Sequence, residues 1–281
     1  MKPAAGLSRR DAARLGAAVA AAAILIALPA SALQRRTWAA PRLILLGSGG
    51  SLSALATAGE ARAIVAAGDD PVAFGNALAR IQPWSARRID LLLAAGAGQD
   101  LLVPAALAAD SHARWVGVIG DPPRGLPDPL AGAHRFDDPR VIHLPLGLDL
   151  LVEQAPAKSG PPPWRVTVTR GRSRIAIVSD GSAPGELPAA AAPDALVVAG
   201  ADPLLALEAA PAAALFAAAD AVSGADLRVA AASMSGPLWT RRVFPGEAVG
   251  LAFSDRGLDL PATGMLRLTP ATPAPDRDDD L

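Results

Sequence analysis

From residue 42 onward the chain is a series of short apolar runs separated by breaks rich in glycine, proline and aspartate. Runs of about four to eight residues between turn signals predict buried strands. They fall at 42–46, 51–57, 62–66, 89–93, 115–119, 165–169, 174–178, 195–198 and 227–232. Residues 141–152 read as one or two further strands, and 243–253 with 257–260 as a final hairpin. The turn Arg170-Gly171-Arg172-Ser173 joins two of the runs into a hairpin. Helical spacing of Val72, Phe74, Leu78 and Ile81 predicts a helix over 72–81, a second spans 101–109, and 204–219 reads as mostly helical with a break at Pro211. Proline and glycine mark 121–132 as loop and 158–163 as a turn. Both halves mix the two periods, which gives an α/β class with no visible internal repeat.

The pattern changes before residue 34. Residues 15–33 carry no charge and follow Lys2, Arg9, Arg10 and Arg14. Nineteen such residues are long enough to span a bilayer as a helix. Pro29 and Ala30-Ser31-Ala32 add the shape of an export signal with a small-residue cleavage site. Ser8-Arg9-Arg10 resembles a twin-arginine signal, although Ala12 and Ala13 stand where that signal prefers bulkier residues. Residues 17–28 are apolar on every face, unlike a buried amphipathic helix. The expectation is a signal sequence or single membrane anchor over 1–33, a domain over 34–268 on the extracytoplasmic side, and a disordered Pro/Asp-rich tail over 269–281. Arg35 and Arg36 follow at once, so flanking charge does not set the orientation.

Composition narrows the chemistry. Cysteine is absent from the 281 residues, which removes disulfides, thiolate catalysis and Cys-based zinc sites. The net charge is −1. Without Lys2, Arg9, Arg10, Arg14 and Asp11 it becomes −4, from 22 basic and 26 acidic residues. Such a domain exerts no global pull on nucleic acid unless its arginines cluster.

The local motifs are weak. Gly96-Ala97-Gly98 follows a strand, and Asp121 ends the next one, but Leu101 occupies the third glycine position of a dinucleotide fingerprint. Gly47-Ser48-Gly49-Gly50 joins strand to strand, so no helix N-terminus faces a phosphate there. No Walker-type Gly-Lys-Ser/Thr and no Gly-x-Ser-x-Gly elbow occurs. His112 sits in a linker, His134 in a loop and His143 in a strand, and all three read as surface or packing residues. The acidic run 276–280 reads as a solvated tail.

The order of elements carries more. A strand ending Leu46-Gly47-Ser48-Gly49-Gly50, a hairpin running into Ala66-Ala67-Gly68, a helix, and a strand running into the loop 94–100 resemble the opening of a metallo-β-lactamase fold. The likeness is nearest to the C-terminal domain of ComEC-type competence (DNA-uptake) channel proteins. Those domains carry Val-Gly-Gln-Gly-Asp, a strand ending Asp-Ala-Gly, and a Thr-His-x-His-x-Asp-His metal loop at the matching places. Downstream, "RVTVTRGRSRIAIVSDG" is similar to the family's hairpin with the metal-bridging acid, here Asp180. "PDALVVAGADP" is similar to the strand leading to the last metal histidine, with Gly200 or Ala201 in its place.

The resemblance implies a four-layer αββα sandwich behind one N-terminal apolar helix. It also implies a metal centre, and here the chain departs. Ala95, Ala97 and Asp100 stand at the histidine positions and Gln99 at the aspartate position. Alanine has no donor atom, and two metal ions that sharpen a water into hydroxide need converging imidazoles and carboxylates. Asp100 and Asp180 remain as residual ligands, suited at most to a weakly held hard cation. Asp100 also reads as a helix N-cap and Asp180 as a turn residue before Gly181.

The expected function is therefore a non-catalytic metallo-β-lactamase-fold domain with no cofactor. Its expected partners are the membrane, through the N-terminal segment, and a membrane channel, with nucleic acid not expected. Two alternatives stay open: a metal-dependent hydrolase with a relocated site built from Asp100, Asp180 and a histidine such as His143, and an extracytoplasmic nucleic-acid-binding module.

Overall fold

The structure, a computed structural model, describes residues 40–81, 88–96, 98–111, 113–119, 126–136, 138–154, 163–178, 192–199, 205–207, 210–254, 256–261 and 263–268. The segments expected to be a signal or anchor (1–33) and a tail (269–281) lie outside the described residues. Among the described residues no helix is long and apolar enough to cross a membrane.

Among the described residues sixteen strands build two sheets. The first begins with β1 (Arg42–Ser48), β2 (Ser51–Ala58) and β3 (Ala61–Ala66), paired antiparallel. Helix α1 (Pro71–Ile81) leads to β4 (Leu91–Ala95). A 3-10 turn (Gly98–Leu101) and helix α2 (Leu102–Asp110) lead to β5 (Trp115–Ile119), and β6 (His134–Arg135) follows. These last strands extend the sheet in parallel beyond β3. The second sheet repeats the plan. The strands β7 (Arg140–Leu144), β8 (Leu148–Gln154), β9 (Trp164–Arg170) and β10 (Ser173–Val178) form an antiparallel meander. To it are added β11 (Ala195–Val198), β12 (Ala214–Ala218) and, after helix α3 (Gly224–Ala232), β13 (Leu238–Val243), all in parallel. The chain then returns to the first sheet as β14 (Ala248–Ser254), paired with β1, and β15 (Gly257–Asp259), and ends on the second sheet as β16 (Leu266–Leu268). Edge strands are therefore β15 and β6 in one sheet and β16 and β7 in the other.

The sheets face each other across one core. Leu43, Leu45, Leu52, Val65, Leu91 and Leu93 point inward from the first sheet. They meet Leu150, Val152, Val166, Val168, Ile175, Val197 and Phe216 from the second. The intervening positions also lie buried, because helices cover the outer faces. Helix α1 packs on β1 and β14, and α2 on β4. Leu227, Ala230 and Ala231 of α3 join Leu196, Val198, Leu215 and Ala217 on the outside of the second sheet. Strands covered on both faces read as continuous apolar runs rather than alternating ones, which is why β11 and β12 show no polar face, while β2 buries Ser51, Ser53 and Thr57 on the face away from the core. The result is the expected four-layer αββα sandwich.

Four local expectations fail. Val72 is 73% exposed, and α1 buries Ala73, Phe74 and Ala77 instead. Asp70 sets that register: its Oδ1 accepts the backbone N–H groups of Val72 and Ala73, turning Val72 outward in the first turn. Residues 214–218, expected in a helix, form β12, because this alanine-rich run lies between β11 and β13 where the pairing overrides propensity. Residues 227–232, expected as a strand, lie in α3. Ser223 and Asp226 close a capping box there: the Asp226 N–H donates to Ser223 Oγ (3.2 Å) and the Ser223 N–H to Asp226 Oδ2 (2.8 Å). His134, expected in a loop, forms part of the two-residue strand β6.

Candidate functional site: the converging strand-end loops

The strands β1, β3, β4 and β5 all run the same way, so the loops after them gather at one edge of the sandwich. Three of these loops hold the residues the resemblance singles out: Gly49-Gly50 after β1, 67–70 after β3, and 96–101 after β4. The β9–β10 turn lies at the opposite end, where the Arg170 guanidinium donates to the Phe253 carbonyl (2.6 Å). The strand β10 therefore runs toward the gathered loops and ends at Val178. Asp180, Ala97, Gly200, Ala201 and His112 lie outside the described residues.

Hydrogen bonds tie the gathered loops to one another. The buried Ser48 hydroxyl lies 2.7 Å from the Ala67 carbonyl and 3.1 Å from the Ser51 carbonyl. The buried Ser53 hydroxyl donates to the same Ala67 carbonyl (2.8 Å) and accepts the Ala67 N–H (3.1 Å). The next residue, Gly68, donates its N–H to the Asp100 carbonyl (2.8 Å) and accepts from the Val103 N–H (3.0 Å). Ser51 closes the ring, donating to Asp100 Oδ1 (3.3 Å). The β1–β2 turn, the loop before α1 and the loop before α2 are thus held as one unit.

Two glycines make this approach feasible. Gly68 has φ of +132°, and a Cβ there would overlap the Ser48 carbonyl oxygen and hydroxyl. Gly96 has φ of +110°, and its Cβ would stand 2.7 Å from that of Asp100. On the other flank, the segment linking β13 to β14 straps over Gly47. The Gly47 N–H donates to the Glu247 carbonyl (3.0 Å), and the Gly246 N–H to the Gly47 carbonyl (3.1 Å). Glu247 is fixed in turn by Arg241 (2.6 Å) and by the Phe244 N–H (2.9 Å).

The residues at the metal-loop positions take separate roles. Ala95 is fully buried in the core between the sheets, and Gln99 is exposed. Asp100 is half-buried and bonded to Ser51. It is not the N-cap expected from the sequence: that position is Leu101, which supplies no side-chain cap, because a 3-10 turn containing Asp100 precedes α2. The described part of this donor set does not fit a metal ion. Ala95 offers no donor, the Asp100 carboxylate already accepts from Ser51, and among the described residues no group of three or more His, Asp or Glu side chains converges.

The histidines lie elsewhere. His134 packs edge-on against Trp115 (5.8 Å between centroids) and Phe136 (5.5 Å). His143 pairs with Asp149 (2.8 Å), whose strand partner is Thr169 next to the β9–β10 turn. That is the end away from Asp100, so the structure does not bring His143 and Asp100 together. Sequence reasoning missed Ser51 and Ser53; the available signal was hydroxyls recurring inside an otherwise apolar hairpin.

Two mixed eight-stranded sheets stacked face to face, helices outside and loops converging at one edge define the metallo-β-lactamase fold. Among solved structures, the chain is similar to the metallo-β-lactamase fold protein YhfI from Bacillus subtilis, with 12% identity and a TM-score of 0.53 over 75% of this chain and 99% of that one. At that identity the likeness is one of fold. No family model matches the chain, and no curated protein matches it.

Proposed function

We propose that this chain is a non-catalytic metallo-β-lactamase-fold domain that works by binding or structural support at a membrane. One observation carries the reading. Where the strand-end loops gather, a ring of serine hydroxyls, backbone groups and the Asp100 carboxylate holds them together. That ring does the positional work that metal ligands would do, and it engages one oxygen of the Asp100 carboxylate. The apolar segment over 15–33 supports attachment or export, and the likeness of the loop sequences to ComEC-type domains supports a place beside a DNA-uptake channel.

Elemental analysis tests it. Protein from cultures supplemented with zinc, manganese and iron should carry far less than roughly one equivalent of any of them after desalting, because tight binding needs a complete ligand set. It should not hydrolyse a phosphodiester or lactam reporter. Stoichiometric metal that survives desalting, together with hydrolysis that a chelator abolishes, would overturn the proposal.

A further inference from the structure

The chain enters the sandwich just before β1, at the edge opposite the gathered loops. Six residues, 34–39, separate the first described residue from the uncharged stretch 15–33. We propose that this entry edge rests on a lipid bilayer, with Leu146, Trp115 and Trp239 seated in the headgroup layer. The inference rests on the membrane reading above and adds which edge of the domain meets the lipid.

Strand direction places the three side chains. The strand β5 runs toward the gathered loops, so Trp115, its first residue, stands at the entry edge. The strand β13 runs parallel to β12, β11 and β10, so Trp239 near its start stands there too. Leu146 tips the β7–β8 turn and lies 3.9 Å from where a Cβ on Gly59 of the β2–β3 turn would sit. Gly59 comes two residues after Thr57, the partner of Arg42 at the start of β1, so Leu146 lies close to the point of entry. Trp115 is 55% exposed, Leu146 54% and Trp239 37%. Trp164, which opens β9 at the gathered edge, is buried.

These residues suit an interface better than water. Tryptophan joins an apolar body to a polar N–H and collects at the level of lipid headgroups. Leu146 holds φ of +61°, the one non-glycine residue with positive φ among those described. A leucine kept in this conformation with its side chain in water incurs strain and forgoes apolar burial together. Contact with acyl chains supplies the burial.

Tether length decides between the two edges. Val72, Leu102 and Phe244 are exposed near the gathered loops. To set that edge on the bilayer, residues 34–39 would have to run the length of the sandwich. Six residues reach at most about 20 Å. The eight residues of β2 extend over about 27 Å. The entry edge needs no such reach.

The absence of cysteine allows a direct test, because a single introduced thiol can carry a reporter. Full-length Leu146→Cys, Trp115→Cys and Val72→Cys proteins, each labelled with the environment-sensitive fluorophore NBD, are reconstituted with phosphatidylcholine vesicles. All three positions are exposed, so an unchanged thermal melt shows that the fold is kept. Labels at 146 and 115 should shift their emission to the blue and be quenched when the acyl chains are brominated. The label at 72 should do neither. Protein that floats with the vesicles while the labels at 146 and 115 emit as in water would overturn the inference and leave the membrane reading standing. An equal shift at 72 would overturn it as well. A blue shift that brominated lipid does not quench would put a second copy of the chain on this edge in place of lipid. Protein that does not float with the vesicles would overturn the membrane reading, and this inference with it.

Discussion

Ser48 and Ser53 reach the same carbonyl, yet they are not equivalent. Ser53 both donates to and accepts from Ala67, so removing its hydroxyl leaves the Ala67 N–H buried without its partner. Ser48 only donates there, and the Ala67 carbonyl keeps Ser53 when Ser48 is gone. Ser53→Ala should therefore destabilise by about 2 kcal/mol and Ser48→Ala by about 1 kcal/mol, since an orphaned buried group costs more than a lost surplus bond. Urea denaturation of the two variants gives the comparison, and equal midpoints would show that the Ala67 N–H finds another partner. The glycine placement around these residues was legible in the sequence, as were the alanines at the metal-loop positions. The serine ring was not. A serine in an apolar run looks like a tolerated small residue until the topology sets it against a loop 14 or 19 positions away.

At the scale of elements, the sequence yielded most strands and misplaced two segments for opposite reasons. The alanine-rich run over 214–218 has helical propensity, and only its place between β11 and β13 makes it extended. Residues 227–232 look extended by their apolar content, while the Ser-x-x-Asp signature of a helix start sat just upstream at Ser223 and Asp226. That box makes α3 testable. Hydrogen bonds from the Ser223 side chain and then its backbone N–H hold the Asp226 carboxyl below the usual carboxylate range. A carboxyl with a depressed folded value stabilises the protein above its unfolded value and loses that contribution as pH falls through the folded one. Ser223→Ala should destabilise by about 1 kcal/mol at neutral pH. Asp226→Asn should flatten the acid limb of the stability profile without moving its neutral plateau far. An unaltered acid limb in melts recorded from neutral pH down into the acid range would show that the box adds nothing to stability.

For the whole molecule, the two sheets share one build order: antiparallel strands first, parallel strands added through crossovers after. The sequence showed no repeat because the crossovers differ in length and covering, and only the pairing pattern is common. This arrangement leaves both sheets open, and each open edge is a row of unsatisfied backbone donors and acceptors that another chain can complete. Three of the four edges are two or three residues long, at β6, β15 and β16, too short to seed a stable intermolecular ladder. The fourth, β7, runs for five residues, with Val141 53% exposed between Arg140 and Ile142. Arg140 and His143 are what make that edge awkward to extend. Replacing Arg140 by valine should leave the melting temperature nearly unchanged while raising light scattering on storage, and a variant that stays clear would place the colloidal safeguard elsewhere. Among the described residues the margins thus leave little backbone unpaired, with Arg140 and His143 guarding the longest exposed stretch.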